Sequence, residues 1–359
     1  MTARRRVLIL FALPVAAAVA GCSATGGLAG GSGRASGRQP AVARPSDDAW
    51  RLAANRGGYP ATFVASVSGT GGPANRGLAV FSAADGHLIR WLAHNGNDLV
   101  PVAVSPDGRW VYFNQGASAP GKCPRTGFTE PVLWRVRASG GRPQRAGIRT
   151  TSLAFSPDGR MVAYTVTRRC GATAWIVVRD RRAATSRRIL LARNPPTSNN
   201  PIFLAQLSWA PDDTRLAVAV MPAAAINVLS LINARHAASL PVTAIRPCNS
   251  QGDGCLDPGF DIRGRLTFLK WRDQASRLAE WVDRWRHRRA TRLFLLSPKQ
   301  SDIGGASIAV DRTGNAILVE GGLRQHEIWR WSGGRLRLIV RSSRRQIVTS
   351  PLWLQHSQQ

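Results

Sequence analysis

Apolar and polar residues alternate in short runs from about residue 60 to the C-terminus, with turn residues between the runs. Segments 102–113 and 153–164 each contain one such run, a Ser-Pro-Asp-Gly-Arg turn and a second run. Alternation with a period of two predicts β-strands. Asp-Gly between two alternating runs predicts a tight hairpin, because Gly accepts positive φ and Asp accepts hydrogen bonds from nearby amides. The chain is therefore predicted to be all-β.

The hairpin recurs at a nearly constant interval. A third clear copy spans 207–218, and weaker copies lie at 260–269, 308–319 and 58–64. The turn residues at 58, 108, 159, 213, 264 and 314 are 50, 51, 54, 51 and 50 residues apart. A second hairpin follows each copy, for example at 78–91 and 132–141, and at 292–296 we predict its first strand in the fifth copy. Two hairpins per repeat give the four strands of one propeller blade.

These repeats predict a six-bladed β-propeller with four-stranded antiparallel blades over residues 47–359. The first copy lacks a clear apolar strand before Gly58, whereas segment 349–354 resembles the opening strand of a seventh copy. We therefore predict that a C-terminal strand completes the first blade and closes the ring, which leaves no open edge there. A long antiparallel sandwich with similar turns is the alternative.

The turn cores at 105–109 and 156–160 resemble the repeats of TolB-type and related WD40-like propellers. The resemblance covers about residues 50–355 and implies the fold, but it says little about function because this repeat occurs in many unrelated proteins. The α/β domain of TolB itself is not expected here. The Gly-x-Ser-x-Gly motif of the hydrolase domain in prolyl-oligopeptidase-type enzymes does not occur in the sequence.

The N-terminus has the composition of an export signal. Three arginines (4–6) precede an apolar run over 7–20 that is too short to span a bilayer comfortably. The run ends in Val-Ala-Gly-Cys at 19–22, which resembles the lipobox of bacterial lipoproteins. The resemblance implies a signal peptide over 1–21, a lipidated Cys22 and a location on the extracytoplasmic face of the cell membrane. An ordinary secretory signal is the alternative, and the export route stays open.

Residues 22–46 are rich in Gly, Ser and Arg and poor in large apolar groups. Such a segment buries too little surface to offset its chain entropy, so we predict a flexible tether.

Four further cysteines are predicted to form disulfides, because disulfides persist outside the cell. Cys248 and Cys255 enclose a short polar loop and are expected to pair, which leaves Cys123 and Cys170 on adjacent blades. A zinc site is the alternative, but the Cys-x-x-Cys spacing and nearby His residues are missing.

The formal net charge is +29, and nearly all the positive charge is arginine because the chain has lysine only at three positions. Such a charge attracts anionic membrane surfaces, acidic polymers or nucleic acid. The codon bias of a GC-rich genome explains it equally well. The predicted location outside the cytoplasm argues against nucleic acid.

Long irregular segments at 114–131, 194–206, 247–259 and 272–291 fall on one face of the predicted propeller, which we expect to be the functional face. Within the last segment, Leu278, Trp281, Val282 and Trp285 recur at helical spacing. This pattern predicts a short helix, which either packs on the propeller with solvated arginines or binds lipid or an anionic polymer. The candidate binding residues are Trp271, Trp281, Trp285, Arg284, Arg288 and Arg289.

No catalytic constellation is evident, and no cofactor or metal is predicted. Asp253, Asp257 and Asp261 do not follow the spacing of a calcium loop and are expected to be solvated turn residues. The favoured function is non-enzymatic binding or scaffolding of a protein partner or an anionic envelope polymer by a monomeric lipoprotein. The alternative is a propeller enzyme of hydrolase, lyase or lactonase type, which Asp, Glu and His side chains clustered at the central mouth would favour.

Overall fold

The structure is a computed structural model of the 359-residue chain. The description below covers residues 61–70, 75–94, 99–115, 130–168, 173–193, 203–221, 225–230, 242–244, 253–274, 277–286, 289–296, 306–321, 326–343 and 346–354.

Twenty-four strands account for most of these residues. The first eight are β1 Thr62–Gly69, β2 Gly77–Ser82, β3 Leu88–His94, β4 Leu99–Val104, β5 Trp110–Gln115, β6 Val132–Arg137, β7 Gln144–Arg149 and β8 Leu153–Phe155. The next eight are β9 Met161–Arg168, β10 Thr173–Asp180, β11 Ser186–Arg193, β12 Phe203–Trp209, β13 Arg215–Met221, β14 Ala225–Ser230, β15 Val242–Ala244 and β16 Asp253–Phe260. The last eight are β17 Leu266–Gln274, β18 Arg277–Arg286, β19 Arg289–Leu295, β20 Ser307–Val310, β21 Ala316–Gly321, β22 Glu327–Ser332, β23 Arg335–Arg341 and β24 Gln346–Trp353.

The protein is an all-β propeller with four-stranded antiparallel blades, and the described strands form six four-stranded sheets. The sheets are called blades here and are numbered along the chain: blade 1 has the order β24-β1-β2-β3, and blades 2 to 6 contain β4–β7, β8–β11, β12–β15, β16–β19 and β20–β23. The C-terminal strand β24 pairs antiparallel with β1, with Val64 opposite Leu352 and Val67 opposite Val348. The predicted pairing of segment 349–354 with the first blade is therefore present.

The hydrophobic core consists of six clusters, and each cluster lies between two consecutive blades. One of them joins blade 6 to blade 1 and includes Phe63, Leu318 and Trp353. Both faces of a blade are therefore buried against neighbours, which explains why β2 and β21 are buried along their whole length.

The repeated turns are held by their aspartates, as the sequence indicates. In blade 3, Asp158 Oδ1 accepts hydrogen bonds from the Ser156 hydroxyl at 2.6 Å and from the Arg160 amide at 2.8 Å. Gly159 has a φ of 69°, a backbone conformation that favours glycine. In blade 4 the corresponding residue is Asp213, which adopts a φ of 55°.

The helix predicted within 272–291 is wrong. Residues 277–286 form β18, which pairs with β17 on one side and β19 on the other. The segment 292–296, predicted as the third strand of its blade, belongs largely to the fourth strand, β19. The period misled because both faces of this strand pack against protein, so its apolar residues do not alternate with polar ones.

The predicted map of irregular segments is also corrected in part. Residues 253–260 form strand β16 and 277–286 form β18, so the segments 247–259 and 272–291 are not loops throughout. Residues 116–129, 194–202 and 247–252 lie outside the described residues, as do the signal peptide 1–21, Cys22, the tether 22–46, Cys123, Cys170 and Cys248.

Candidate functional site

The inner strands of all six blades line one central cavity of about 420 Å³. They are β4, β8, β12, β16, β20 and β24, and each of them lies at the edge of its sheet. At this edge Trp209 donates a hydrogen bond from Nε1 to Ala154 O at 3.1 Å, and Trp353 does the same to Ala309 O at 2.9 Å. Two of the inner strands are thereby tied to the preceding blade, which stiffens the cavity wall.

One residue of each inner strand marks the end of the cavity farther from the Pro-Asp-Gly turns. In blades 2 to 6 this residue lies seven positions before the turn residue, and in blade 1 it is Ser350. All six line the cavity and are called the bulge ring here: Pro101, Ser152, Gln206, Asp257, Ser307 and Ser350.

The bulge ring is named for a local distortion of the inner strands. The register between inner and second strand shifts in blades 1, 2, 4 and 5 at or beside the ring residue. Three ring residues have left-handed backbones, with φ of 38° for Gln206, 54° for Asp257 and 54° for Ser350. Bulges and left-handed non-glycine residues concentrate at functional sites, where they redirect side chains.

Asp257 is the acidic member of the bulge ring. The residue is only 7% exposed, and its Oδ2 accepts a hydrogen bond from the Ile308 amide at 3.0 Å. Burial raises the pKa of this carboxyl to about 7, and the negative charge of Glu320 adds to the rise, whereas the hydrogen bond from Ile308 lowers it. Asp257 therefore changes protonation near neutral pH, which is characteristic of functional carboxyls in cavities.

Glu320 is a second carboxyl at this end of the cavity. Its Oε2 accepts hydrogen bonds from the Ser350 amide at 2.6 Å and from the Ser307 hydroxyl at 3.2 Å. Its Oε1 lies 3.4 Å from His326 Nδ1. Glu320 therefore links blade 6 to the C-terminal strand and places a second negative charge near Asp257.

The turn end of the cavity has a different charge. Arg312, an exposed residue of the turn after β20, lines the cavity there. Asp261 also lines it, but its carboxylate is bound by Arg265 Nε at 2.6 Å. Burial raises the pKa of Asp213, and the negative charge of Asp158 adds to the rise. The positive charge of Arg312 lowers this pKa, but by less.

The predicted binding residues of the β17–β19 region are placed differently from the sequence prediction. Trp281 is only 5% exposed and is surrounded by three cations. Arg292 Cζ lies 4.5 Å from the ring centroid, Lys270 Nζ 5.5 Å and Arg272 Cζ 5.8 Å. These cation–π contacts hold the ring inside the blade.

Trp271, Trp285 and Arg284 also pack within the protein. A Cβ at Gly254 would lie 2.2 Å from Trp271 Cε2, so the half-buried indole covers that glycine. Trp285 packs against the core between blades 4 and 5. Arg284 donates hydrogen bonds to Gly314 O at 2.7 Å and to Thr267 Oγ1 at 3.2 Å. Arg289 is exposed on β19, and Arg288 lies outside the described residues.

The outermost strands of four blades carry exposed arginines. The strands β7, β11, β19 and β23 contain no Asp or Glu in their sequences. Their exposed arginines, called the edge arginines here, are Arg145, Arg149, Arg188, Arg289, Arg292, Arg335, Arg337 and Arg341. Arg341 pairs with Glu327 at 2.9 Å. The edge arginines give the outer perimeter a strongly positive charge.

Asp257, Glu320 and His326 form an acidic cluster with a histidine that the sequence did not predict as a site. The signal was present in the repeat itself, because the position seven residues before the turn varies between blades and is acidic in only one of them: Pro101, Ser152, Gln206, Asp257 and Ser307. Among the described residues, no group of three His, Cys, Asp or Glu side chains is arranged to hold a metal ion. In the same part of the chain, no helix has the length and hydropathy needed to cross a bilayer.

Cys255 is fully buried on β16 and takes part in a disulfide bond. Its partner lies outside the described residues, so the predicted Cys248–Cys255 and Cys123–Cys170 pairs stay predictions.

No protein-family model matches the chain, and no curated protein matches it. Among solved structures, the chain is similar to TolB from Acinetobacter baumannii, with 13% identity and a TM-score of 0.59 over 83% of this chain and 68% of that one. It is also similar to a chain in the nidogen/laminin complex, with 10% identity and a TM-score of 0.50 over 82% of this chain and 99% of that one. A periplasmic gluconolactonase from Pseudomonas aeruginosa matches with 19% identity and a TM-score of 0.47, over 79% and 83% of the two chains. The two likenesses with TM-scores of 0.59 and 0.50 show the propeller fold alone.

Proposed function

We propose that the protein is a lipoprotein anchored through Cys22 on the extracytoplasmic face of the cell membrane, and that its propeller binds an anionic envelope polymer without catalysis. In this proposal the six sheets are the blades of one ring, closed by the pairing of β24 with β1. The edge arginines are the observation that carries the proposal.

The distribution of the edge arginines favours an extended polyanion. They lie on the outer strands of blades 2, 3, 5 and 6 rather than in one compact patch. A flexible polymer with many negative groups can contact several blades at once, and multivalent contact strengthens binding without any new type of contact. A folded protein partner would need one contiguous surface instead, so it is the less favoured partner.

A structural explanation of the edge arginines also exists. Charged side chains on edge strands prevent edge-to-edge association, and a GC-rich genome supplies arginine for this purpose. The two explanations differ in one measurable respect. Only the binding explanation predicts that affinity for a polymer depends on where the arginines lie.

The test measures binding of the full-length protein to poly(glycerol phosphate) at about 0.05 M and about 0.5 M salt. One variant carries Arg289→Gln, Arg335→Gln and Arg337→Gln on the edge. The control carries Arg109→Gln, Arg182→Gln and Arg263→Gln, which removes the same charge from exposed turns. At about 1 kcal/mol per arginine, the edge variant should bind roughly 100-fold more weakly at low salt. Equal losses of affinity in the two variants would show that only the total charge matters and not the edge position, which would contradict the proposal. The absence of saturable binding would refute it as well.

An enzyme of hydrolase, lyase or lactonase type is the second candidate, and the cluster of Asp257, Glu320 and His326 favours it. A carboxyl with a pKa near neutrality is suited to general acid–base catalysis. Turnover of sugar lactones or esters by the wild type, lost in Asp257→Asn, would support this candidate. Binding of polymer without turnover would leave the binding module as the function.

A further inference from the structure

We propose that the central cavity is a binding site for a molecule with a primary ammonium group on an apolar body, and that the ammonium group binds to Asp257. This site is separate from the edge arginines and does not depend on the function proposed for them. The chemistry would be the same for a simple alkylamine and for the free amino terminus of a short apolar peptide.

Oδ1 of Asp257 is available to accept a hydrogen bond from a ligand. Its Oδ2 accepts the Ile308 amide, while no described residue donates a hydrogen bond to its Oδ1. Asp257 is only 7% exposed, and it lines the cavity. An oxygen that no described residue occupies can accept a hydrogen bond from a ligand, and an ammonium group supplies both the donor and the opposite charge.

The surroundings of Asp257 favour a cation. Glu320 raises the negative potential at this end, and its own oxygens are occupied by Ser307, Ser350 and His326. Gln206 lines the cavity at the same level, is exposed, and brings an amide that can accept a further ammonium proton. The cavity therefore concentrates acceptors at one end.

The walls between the two ends are mostly apolar. They include Val102, Phe155, Leu207, Phe260, Ile308 and Leu352. Burial of apolar surface favours a ligand whose body is apolar. The volume of about 420 Å³ lies within the range of about 300–1,000 Å³ that is typical of small-molecule sites, which excludes a folded partner.

Arg312 lies at the opposite end, in the turn after β20 and five residues beyond Ser307, a path of roughly 15 Å along the chain. A short peptide of about four extended residues would cover this distance. Its carboxylate would then lie near Arg312, whose charge Asp213 offsets in part. A peptide is therefore distinguished from an alkylamine by a dependence on its carboxyl terminus.

The experiment titrates the full-length protein with hexylamine, with Leu-Ala-Ala-Leu and with N-acetyl-Leu-Ala-Ala-Leu at about pH 7.5, where both amines are at least partly protonated. Tryptophan fluorescence reports occupancy because Trp209 and Trp353 line the cavity, and calorimetry confirms it. We expect saturable binding of the free amines and at least tenfold weaker binding of the acetylated peptide. Equal binding of the free and acetylated peptides, or no saturable binding of either amine, would overturn the proposal.

Two variants test whether the ammonium group binds to Asp257. Asp257→Asn should weaken amine binding at least tenfold, because the charge is lost while an oxygen is kept for the Ile308 amide. Asparagine also tolerates the left-handed backbone at this position. Asp85→Asn, which removes the same charge from an exposed turn, should leave binding unchanged. If both variants bind hexylamine like the wild type, Asp257 is not the site and the proposal fails.

The two ligand sources give different results with Leu-Ala-Ala-Leu-amide. An alkylamine-type site should bind the amide as tightly as the free peptide, whereas a peptide site should lose affinity with the amide and with Arg312→Gln. Either result supports the ammonium site and identifies its source. Polymer binding by Asp257→Asn should stay at the wild-type level, so failure of this site and failure of the proposed function are distinguishable.

The pH dependence provides a further test with hexylamine, which stays charged throughout. Because the pKa of Asp257 is about 7, affinity should fall about tenfold per pH unit below that value as the carboxyl is protonated. Among the described residues, the other titratable groups near Asp257 are Glu320 and His326. His326→Gln should therefore keep the slope, Asp257→Asn should abolish it, and a wild type without any slope would contradict the proposal.

Discussion

The two ends of the inner strands carry different kinds of polar residue, although the same repeats supply both. At the turn end, an aspartate recurs in five blades and accepts hydrogen bonds from its own turn: Asp107, Asp158, Asp212, Asp261 and Asp311. At the bulge ring the residue varies between blades: three blades contribute serine, and the other three contribute Pro101, Gln206 and Asp257.

The electrostatics of the two ends differ in the same way. The Ser156 hydroxyl and the Arg160 amide lower the pKa of Asp158, against a smaller effect of burial. Burial raises the pKa of Asp257, which has one hydrogen bond. The repeated residues therefore stabilise the fold, and the unrepeated ones are free to serve recognition.

The largest effect is expected at the turn end, from Asp261→Ala. The Asp261 side chain is fully buried and binds Arg265 Nε at 2.6 Å and the amides of Arg263 and Arg265. Removal of one partner from a buried pair leaves the other uncompensated, so the free energy of unfolding should fall by about 4 kcal/mol. Urea unfolding measures it, and a loss below about 1 kcal/mol would show that this turn does not hold the blade.

In the bulge ring, Asp257→Asn is expected to raise the free energy of unfolding rather than lower it. The raised pKa means that the folded state binds the proton more tightly than the unfolded state. The contribution of Asp257 to stability is therefore complete below about pH 4 and is lost as pH rises to about 7. Between these limits the variant should gain about 4 kcal/mol relative to the wild type, which is the free energy that corresponds to a rise in pKa from 3.8 to about 7. Thermal unfolding at both pH values measures the gain, and a difference that does not change with pH would contradict it.

A small effect is expected from Asp158→Ala, because this aspartate is exposed. Loss of its hydrogen bonds to Ser156 and Arg160 should cost about 1 kcal/mol, measured by urea unfolding. Asp85→Asn, on an exposed turn of another hairpin, is the control for a change of charge. A cost as large as that of Asp261→Ala would remove the distinction between exposed and buried turn residues.

The fold was largely predictable from the turns, whereas the site was not. Asp-Gly at 107–108 and 158–159 defines hairpins locally, so the repeat could be read without tertiary information. Trp281 and Val282 were assigned to a helix because a strand buried on both faces has no polar–apolar alternation. Asp257 was interpreted as a solvated turn residue, since neither its left-handed backbone nor its burial between blades has a local sequence signal.

The pairing of β24 with β1 has a consequence for the order in which the protein is made. Val64 and Leu352 are 288 residues apart in the sequence, so blade 1 lacks its inner strand until segment 346–353 has been synthesised. Contacts between such distant segments form slowly, because the intervening chain must first be brought together. Until then β1 presents an unpaired edge that can associate with other chains. During biogenesis, aggregation is therefore controlled by arrival of the last strand.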